Sequence, residues 1–89
     1  MDLQYVKEYL RVDYDEDDRL ITGFIAAAKE YLGGAGVGER NDSELYNNVI
    51  LMLVSLFYEN REVTDKDIKI PTVINNFIVQ LSLKSGGSS

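Results

Sequence analysis

An acidic segment near the N-terminus contains the side chains best placed to do chemistry. Five of the six residues in segment 13–18 are carboxylates, and Asp13, Asp15 and Asp17 alternate as the first, third and fifth ligands of an EF-hand calcium loop would. Such a loop also needs glycine at its sixth position and a bidentate glutamate at its twelfth. Here the sixth residue is another aspartate and the twelfth is Phe24. We therefore expect no specific calcium site, although close like charges attract a loose counter-ion.

The same acids could also form the carboxylate pair of a hydrolase or the start of a helix. A hydrolase needs one carboxyl with a raised pKa in an apolar pocket and a second carboxyl that stays ionised. Adjacent acids on an exposed helix start do not provide this contrast. Acids in a first helical turn face the positive end of the helix dipole and contribute about 0.3–1 kcal/mol each. We favour the helix start, with Asp15 or Asp17 as its N-cap.

The rest of the sequence offers few groups for catalysis or cofactor binding. The chain has no histidine and no cysteine, so the commonest general base and all thiolate metal ligands are missing. The short signatures of serine hydrolases, P-loop proteins, zinc proteases and dinucleotide-binding proteins do not occur. We expect no enzymatic activity, no metal and no cofactor.

Length, composition and charge indicate one small acidic domain. The chain has 89 residues, 45% of them hydrophobic, and a formal net charge of −6. Such a charge disfavours binding to a phosphate backbone, so we expect no sequence-specific nucleic-acid binding. The N-terminus lacks the pattern of a signal peptide, and the longest apolar run, residues 49–58, is about half of what spans a bilayer. We expect a cytoplasmic protein without a membrane segment.

Hydrophobic spacing predicts an all-α fold, a compact bundle of about four helices. The first helix is expected to begin after Asp2 as N-cap and to fade near Val12. The second carries apolar residues from Leu20 onwards and is expected to stop at Gly33 and Gly34 as its C-cap. The glycines that follow, Gly36 and Gly38, belong to a predicted flexible surface loop over residues 33–41. This loop follows a helix rather than a strand, which disfavours a phosphate-binding loop and favours an interaction surface.

The third predicted helix extends from residue 44 to about residue 61, with Asn41, Asp42 or Ser43 as its N-cap. Its middle, "VILMLVSLFY", is apolar on every side, which predicts a central helix with Leu53 in the core and Phe57 near it.

The fourth predicted helix starts at Pro71, a residue suited to a first helical turn. Its predicted apolar face consists of Val73, Ile74, Phe77, Ile78 and Leu81. We therefore expect a single helical domain over residues 1–81 and a flexible Gly/Ser tail over residues 82–89.

Three stretches of the sequence match a known pattern in their order and separation. They are "VKEYLRVDYDEDDRLITGFIAAAKEYL" (residues 6–32), the apolar helix that ends in "FYENRE" (residues 57–62), and "IPTVINNFIVQL" (residues 70–81). Together they resemble the small head–tail connector proteins, or head-completion adaptors, of tailed bacteriophages and prophages, which are often described as DNA-packaging proteins. The resemblance extends over nearly the whole chain up to residue 81.

This resemblance implies a structural adaptor without catalysis. Its subunits would form an oligomeric ring that docks under the portal protein and joins the DNA-filled head to the tail. The implied partners are other copies of the chain, the portal protein, and tail or head-completion proteins. The implied location is the bacterial cytoplasm before assembly and the virion head–tail junction afterwards.

The residues Tyr58, Glu59, Asn60 and Arg61 form the most specific part of the match. At the end of the third helix, Arg61 could balance the helix dipole and Asn60 could adopt a left-handed C-cap conformation. Alternatively, Arg61 makes a forked contact with a carboxylate, within the subunit or on a neighbour. We keep these four residues, together with the four glycines from Gly33 to Gly38, as candidate interface or structural positions.

Two other classes of function fit the composition. One is a small acidic helical module that binds a basic protein partner and regulates it. The other is a DNA mimic, which is the weaker alternative because a mimic spreads its acids over one face, whereas here they concentrate in residues 13–18.

Overall fold

A computed structural model describes residues 2–39, 43–61 and 69–87, and the side chains of these residues except residues 84–87. Over these ranges the chain forms four helices: α1 (Leu3–Leu10), α2 (Asp18–Gly34), α3 (Glu44–Glu59) and α4 (Thr72–Gly87). No strand occurs in the described ranges. The predicted all-α bundle is confirmed. None of these helices, over the part of the chain that is described, is long and apolar enough to cross a membrane.

Helix α3 is the centre of the bundle. It packs against each of the other three helices. Its fully buried side chains are those of Tyr46, Val49, Ile50, Leu53 and Val54. The predicted core position of Leu53 is therefore confirmed. Phe57 packs half-buried against the same core, with its ring centre 5.9 Å from that of Phe24 in α2.

Side chains and backbone groups before α1 and α3 satisfy the free N–H groups at the helix starts. The Asp2 carboxylate accepts a hydrogen bond from the Gln4 backbone N–H at 3.3 Å, which confirms the predicted N-cap of α1. Ser43 caps α3, because its Oγ accepts from the Tyr46 N–H at 3.1 Å. The other two candidate caps of α3, residues 41 and 42, lie outside the described residues.

Helix α4 starts directly after Pro71, whose carbonyl accepts hydrogen bonds from the backbone N–H groups of Ile74 and Asn75 at 3.0 and 3.1 Å. Among the predicted apolar residues of α4, Ile74, Ile78 and Leu81 are buried and Phe77 is partly buried. The prediction was wrong for Val73, which is 53% exposed. The reason is that α4 packs chiefly on α3, so its buried stripe is narrow.

The backbone of α4 continues to Gly87, beyond the position where the last helix was expected to give way to a tail. The division of the chain into a domain of residues 1–81 and a flexible tail of residues 82–89 stays a prediction.

The end of α2 differs from the prediction by two residues. Gly33 and Gly34 are still helical, and the residue in the left-handed conformation is Gly36, with φ of 87°. Gly36 N–H donates to the Gly33 carbonyl, and the next residue, Val37, donates to the carbonyl five residues earlier at 2.9 Å. This is a Schellman motif, and Val37 closes it as a buried apolar residue. The predicted surface loop is thus anchored to the core at Val37.

The end of α1 has the same motif without a glycine. Arg11 is left-handed, with φ of 62°, and its N–H donates to the Glu8 carbonyl at 3.2 Å. Val12 N–H donates to the Lys7 carbonyl at 2.9 Å. The Val12 side chain is buried, as is that of Val37 at the end of α2. The turn directs residues 13–17 back along α1, which brings the acidic segment close to that helix.

Candidate functional site

The acidic segment packs around a lysine that was not among the predicted site residues. Lys7 Nζ lies 2.8 Å from Asp15 Oδ1 and 2.7 Å from Asp18 Oδ1. Lys7 is the only charged residue that the described part of the chain buries. The sequence did contain a signal for it. Lys7 is four residues after Leu3 and three before Leu10, so it occupies a position on the apolar stripe of α1.

The contacts of Lys7 change the proton affinities of the pair. The hydrogen bond to Asp15, followed by the contact with Asp18, raises the pKa of Lys7, and burial opposes this increase. The same hydrogen bond lowers the pKa of Asp15. Asp15 is 89% exposed, so solvent screens this ion pair strongly. The ammonium of Lys7 lies between the two carboxylates and supplies their counter-charge.

A second polar cluster joins the start of α2 to the end of α3. Asp17 occupies the N-cap position of α2, as predicted, but its side chain makes no capping hydrogen bond. Its Oδ2 instead accepts a hydrogen bond from the Tyr58 hydroxyl at 2.7 Å and a longer one from the Tyr14 hydroxyl at 3.3 Å. The two hydroxyls are 3.0 Å apart. The hydrogen bonds with Tyr14 and Asp17 raise the pKa of Tyr58, so its hydroxyl stays a neutral donor.

Arg61 and Asn60 bind the end of α3 itself. The Arg61 guanidinium lies over the Tyr58 ring, 4.4 Å from its centre, and Nη1 donates to the Tyr58 carbonyl at 2.9 Å. The Asn60 side chain donates to the Leu56 carbonyl at 2.8 Å. The predicted left-handed conformation of Asn60 was wrong, since its φ is −109°. The helix also ends at Glu59, two residues earlier than predicted, and these two side chains bind carbonyls of its last turn.

The candidate glycines form no comparable site. A Cβ atom on Gly33, Gly34 or Gly38 would meet no other atom within 4 Å, whereas one on Gly36 would lie 3.6 Å from Ser82 Oγ. An ion pair between Lys29 and Glu39, 3.0 Å long, links α2 to the residues after its last turn. None of the described hydrogen bonds, ion pairs or ring contacts connects these glycines with the cluster around Tyr58.

An open cleft of about 410 Å³ runs beside α1 and the acidic segment. Its lining consists of Gln4, Lys7, Glu8, Arg11, Val12, Asp13 and Asp15. Its walls carry both signs of charge, and Lys7 is already engaged. Within the described ranges, no group of three or more acidic, histidine or cysteine side chains is arranged to hold a metal ion. The contact between Lys7 and Asp18 in this region connects α1 to the start of α2.

The described residues form a four-helix domain in which Asp15, Asp17 and Asp18 contact other side chains of the same chain. Comparison with known families assigns the chain to a family. The family model described as phage gp6-like head-tail connector protein matches residues 1–84. The chain belongs to this family of phage connector proteins, which indicates contact with other head or tail components at the head–tail junction. No curated protein matches the chain. No solved structure matches it either.

Proposed function

We propose that the protein is a structural subunit of a connector ring that docks under the phage portal and joins the DNA-filled head to the tail. In this role it has no catalytic activity and needs no cofactor. Its partners are other copies of the chain, the portal protein, and tail or head-completion proteins. It is made in the bacterial cytoplasm and ends at the head–tail junction of the virion.

The observation that carries this proposal is the family match over residues 1–84, which includes all but five residues of the chain. The contacts of the acidic segment support a structural role as well. Asp15 and Asp18 contact Lys7, and Asp17 contacts Tyr58, so these carboxylates are occupied in holding helices together.

The charge of the subunit fits a passage for DNA. Protein side chains bind the phosphate backbone when Lys and Arg displace its counter-ions. A subunit with nine basic and fifteen acidic residues supplies the opposite balance. A ring of such subunits lets the DNA duplex pass without binding its phosphate backbone tightly.

Among the candidate residues for contact with a partner, the geometry favours Arg61 most. Its ring contact with Tyr58 and its hydrogen bond to the Tyr58 carbonyl hold the exposed guanidinium in one orientation. The planar group has five N–H donors, and the described hydrogen bond employs one nitrogen. A carboxylate of a neighbouring protein fits the remaining donors.

The proposal is tested by deleting the gene in a phage or prophage that encodes it and examining the particles by electron microscopy. We expect filled heads without tails, and recovery of infectious particles when the parent gene is supplied in trans. Complementation with Arg61→Ala should give fewer tailed particles than complementation with Arg19→Ala, which removes the same charge from an exposed site on α2. Normal tailed particles in the deletion strain would overturn the connector role and favour the regulatory alternative.

A further inference from the structure

Two stretches of the chain run for 14 residues without a charged side chain, residues 45–58 and residues 70–83. The first lies in α3, where Asn48 is the one exposed residue of the stretch. Burial explains the absence of charge there. The second includes most of α4, and in residues 72–83 seven of twelve side chains are exposed. Burial therefore does not explain why this helix lacks charge.

The exposed side of α4 also carries large apolar side chains. Val79 is 55% exposed and Leu83 is 68% exposed. At 3.6 residues per turn these two lie one turn apart, on the side of α4 opposite the buried residues Ile74 and Ile78. The outer α4 face is defined here by the exposed residues Thr72, Asn75, Asn76, Val79, Gln80 and Leu83.

This combination is typical of an interface. The buried centres of protein interfaces are depleted in charged residues, whereas ordinary exposed helix faces carry them. The amides of Asn75, Asn76 and Gln80 provide hydrogen-bonding groups around the two apolar side chains. In a chain with 24 charged residues among 89, an exposed helix face without charge needs a partner to account for it.

Charge decides which partner fits. A basic protein would be attracted to the acidic segment, and nucleic acid would need Lys and Arg, which this face lacks. A second copy of the chain carries the same net charge of −6, so two copies repel wherever their acids meet. The outer α4 face lets two copies approach without placing acid against acid.

We propose that the outer α4 face is the surface through which one copy of this chain contacts the next. The inference rests on the proposed function, because it assigns the contact between subunits of the connector. The receiving surface on the neighbour is a part of the same chain, and the assembled protein buries Val79 and Leu83.

Charge insertion tests this contact. Val79→Glu and Leu83→Glu each place one acid on the face, and Gln4→Glu adds the same charge at an exposed position of α1 as a matched control. Sedimentation velocity is measured over a range of protein and salt concentrations, without and with purified portal protein. We expect both α4 variants to need at least about tenfold more protein to associate, since a carboxylate without a counter-charge is costly to bury in an uncharged interface. Circular dichroism melting should show that all three variants fold, because each site is exposed.

Thiol protection gives an independent measurement, because the chain contains no cysteine. Val79→Cys and Gln4→Cys each introduce a single thiol, whose reaction rate with a maleimide is compared in monomeric and assembled protein. Slower labelling of Cys at position 79 alone in the assembly supports the proposal. Equal labelling in both states overturns it, as does a parent protein that stays monomeric under every condition tested. The gene-deletion experiment separately decides whether the head–tail role fails.

Discussion

The hydroxyl of Tyr58, near the end of α3, donates a 2.7 Å hydrogen bond to the carboxylate of Asp17, 41 residues earlier at the start of α2. This contact joins two of the stretches on which the family resemblance rested, the acidic segment and the "YENRE" sequence. The Asp17 side chain makes this contact and forms no capping hydrogen bond to its own helix. The bond therefore holds the end of the central helix against the start of α2, and the Arg61 guanidinium lies over the ring of the same tyrosine.

Tyr58→Phe should lower the free energy of unfolding by about 1.5 kcal/mol, since it keeps the ring but removes the hydroxyl that donates to the Asp17 carboxylate and contacts the Tyr14 hydroxyl. Urea unfolding followed by circular dichroism measures the change. Tyr14→Phe is the matched control and should cost less, because the Tyr14 hydroxyl is 3.3 Å from Asp17 and the residue is 44% exposed. Equal stability of Tyr58→Phe and the parent would show that the contact contributes nothing.

The Lys7 cluster predicts a defined pH dependence. The folded-state pKa of Asp15 is lowered, so its contribution is present above the ordinary value of 3.8 and is lost as pH falls through the folded value. The folded-state pKa of Lys7 is raised, so its contribution is present below 10.5 and is lost as pH rises through the folded value. The difference in unfolding free energy between the parent and Lys7→Met should be constant at neutral pH and shrink at both extremes. A difference that does not change from acid to alkaline pH would contradict this assignment.

The same lysine predicts how the acidic segment responds to calcium. Its ammonium lies within 2.8 Å of two of the carboxylates, which neutralises part of their charge and occupies the space between them. Isothermal titration calorimetry at physiological salt should therefore show no saturable heat with micromolar calcium. A magnesium titration serves as the control for nonspecific heat. A stoichiometric site of micromolar affinity would overturn the structural role of the segment.

The helices and the core could be predicted from the sequence because apolar spacing is a local property. Leu53 lies in a run that is apolar on every side, and it is fully buried. Helix ends were less predictable. Gly33, Gly34 and Gly36 are equally suited by type to end α2, and the choice of Gly36 depends on the burial of Val37, which is a tertiary contact.

The contacts of the acidic segment could not be predicted from local sequence patterns either, because they are tertiary contacts. The sequence predicted Asp15 or Asp17 at the N-cap of α2, and Asp17 occupies it, but the contact of Asp17 with Tyr58 was not predicted, since the two residues are far apart in the chain. Lys7 was not predicted as a site residue, because the spacing of the acids does not by itself indicate a basic partner. A lysine on the apolar stripe of α1, eight residues before Asp15, was the available signal.

Leu53→Ala should be the most damaging of the single changes considered, because it opens a cavity in the centre of the bundle. Truncation of a buried leucine to alanine typically costs about 2–5 kcal/mol, which is a large part of the stability of a domain this small. Thermal unfolding should show a large fall in Tm or loss of the folded state.

Leu83→Ala is the matched control, since Leu83 is 68% exposed and its truncation should change the free energy of unfolding by less than about 0.5 kcal/mol. A Leu53→Ala protein that melts with the parent would show that α3 is not the core helix.

Substitutions at equivalent positions at the ends of α1 and α2 should change the free energy of unfolding in opposite directions. Both helices end in the same motif, with a left-handed residue that is Arg11 in α1 and Gly36 in α2. A side chain in this conformation costs about 1–2 kcal/mol, and glycine avoids that cost. Arg11→Gly should therefore raise the unfolding free energy by about 1 kcal/mol, whereas Gly36→Ala should lower it by a similar amount. The cost at Gly36 is conformational rather than steric, because the added Cβ would meet Ser82 Oγ at 3.6 Å, an ordinary contact. Thermal unfolding should show Tm shifts of several degrees in opposite directions for the two variants.

Arg11→Ala separates the effect of the conformation from that of the charge, since it removes the guanidinium but keeps a Cβ, and it should not reproduce the gain. A gain in Arg11→Ala equal to that in Arg11→Gly would assign the effect to charge instead.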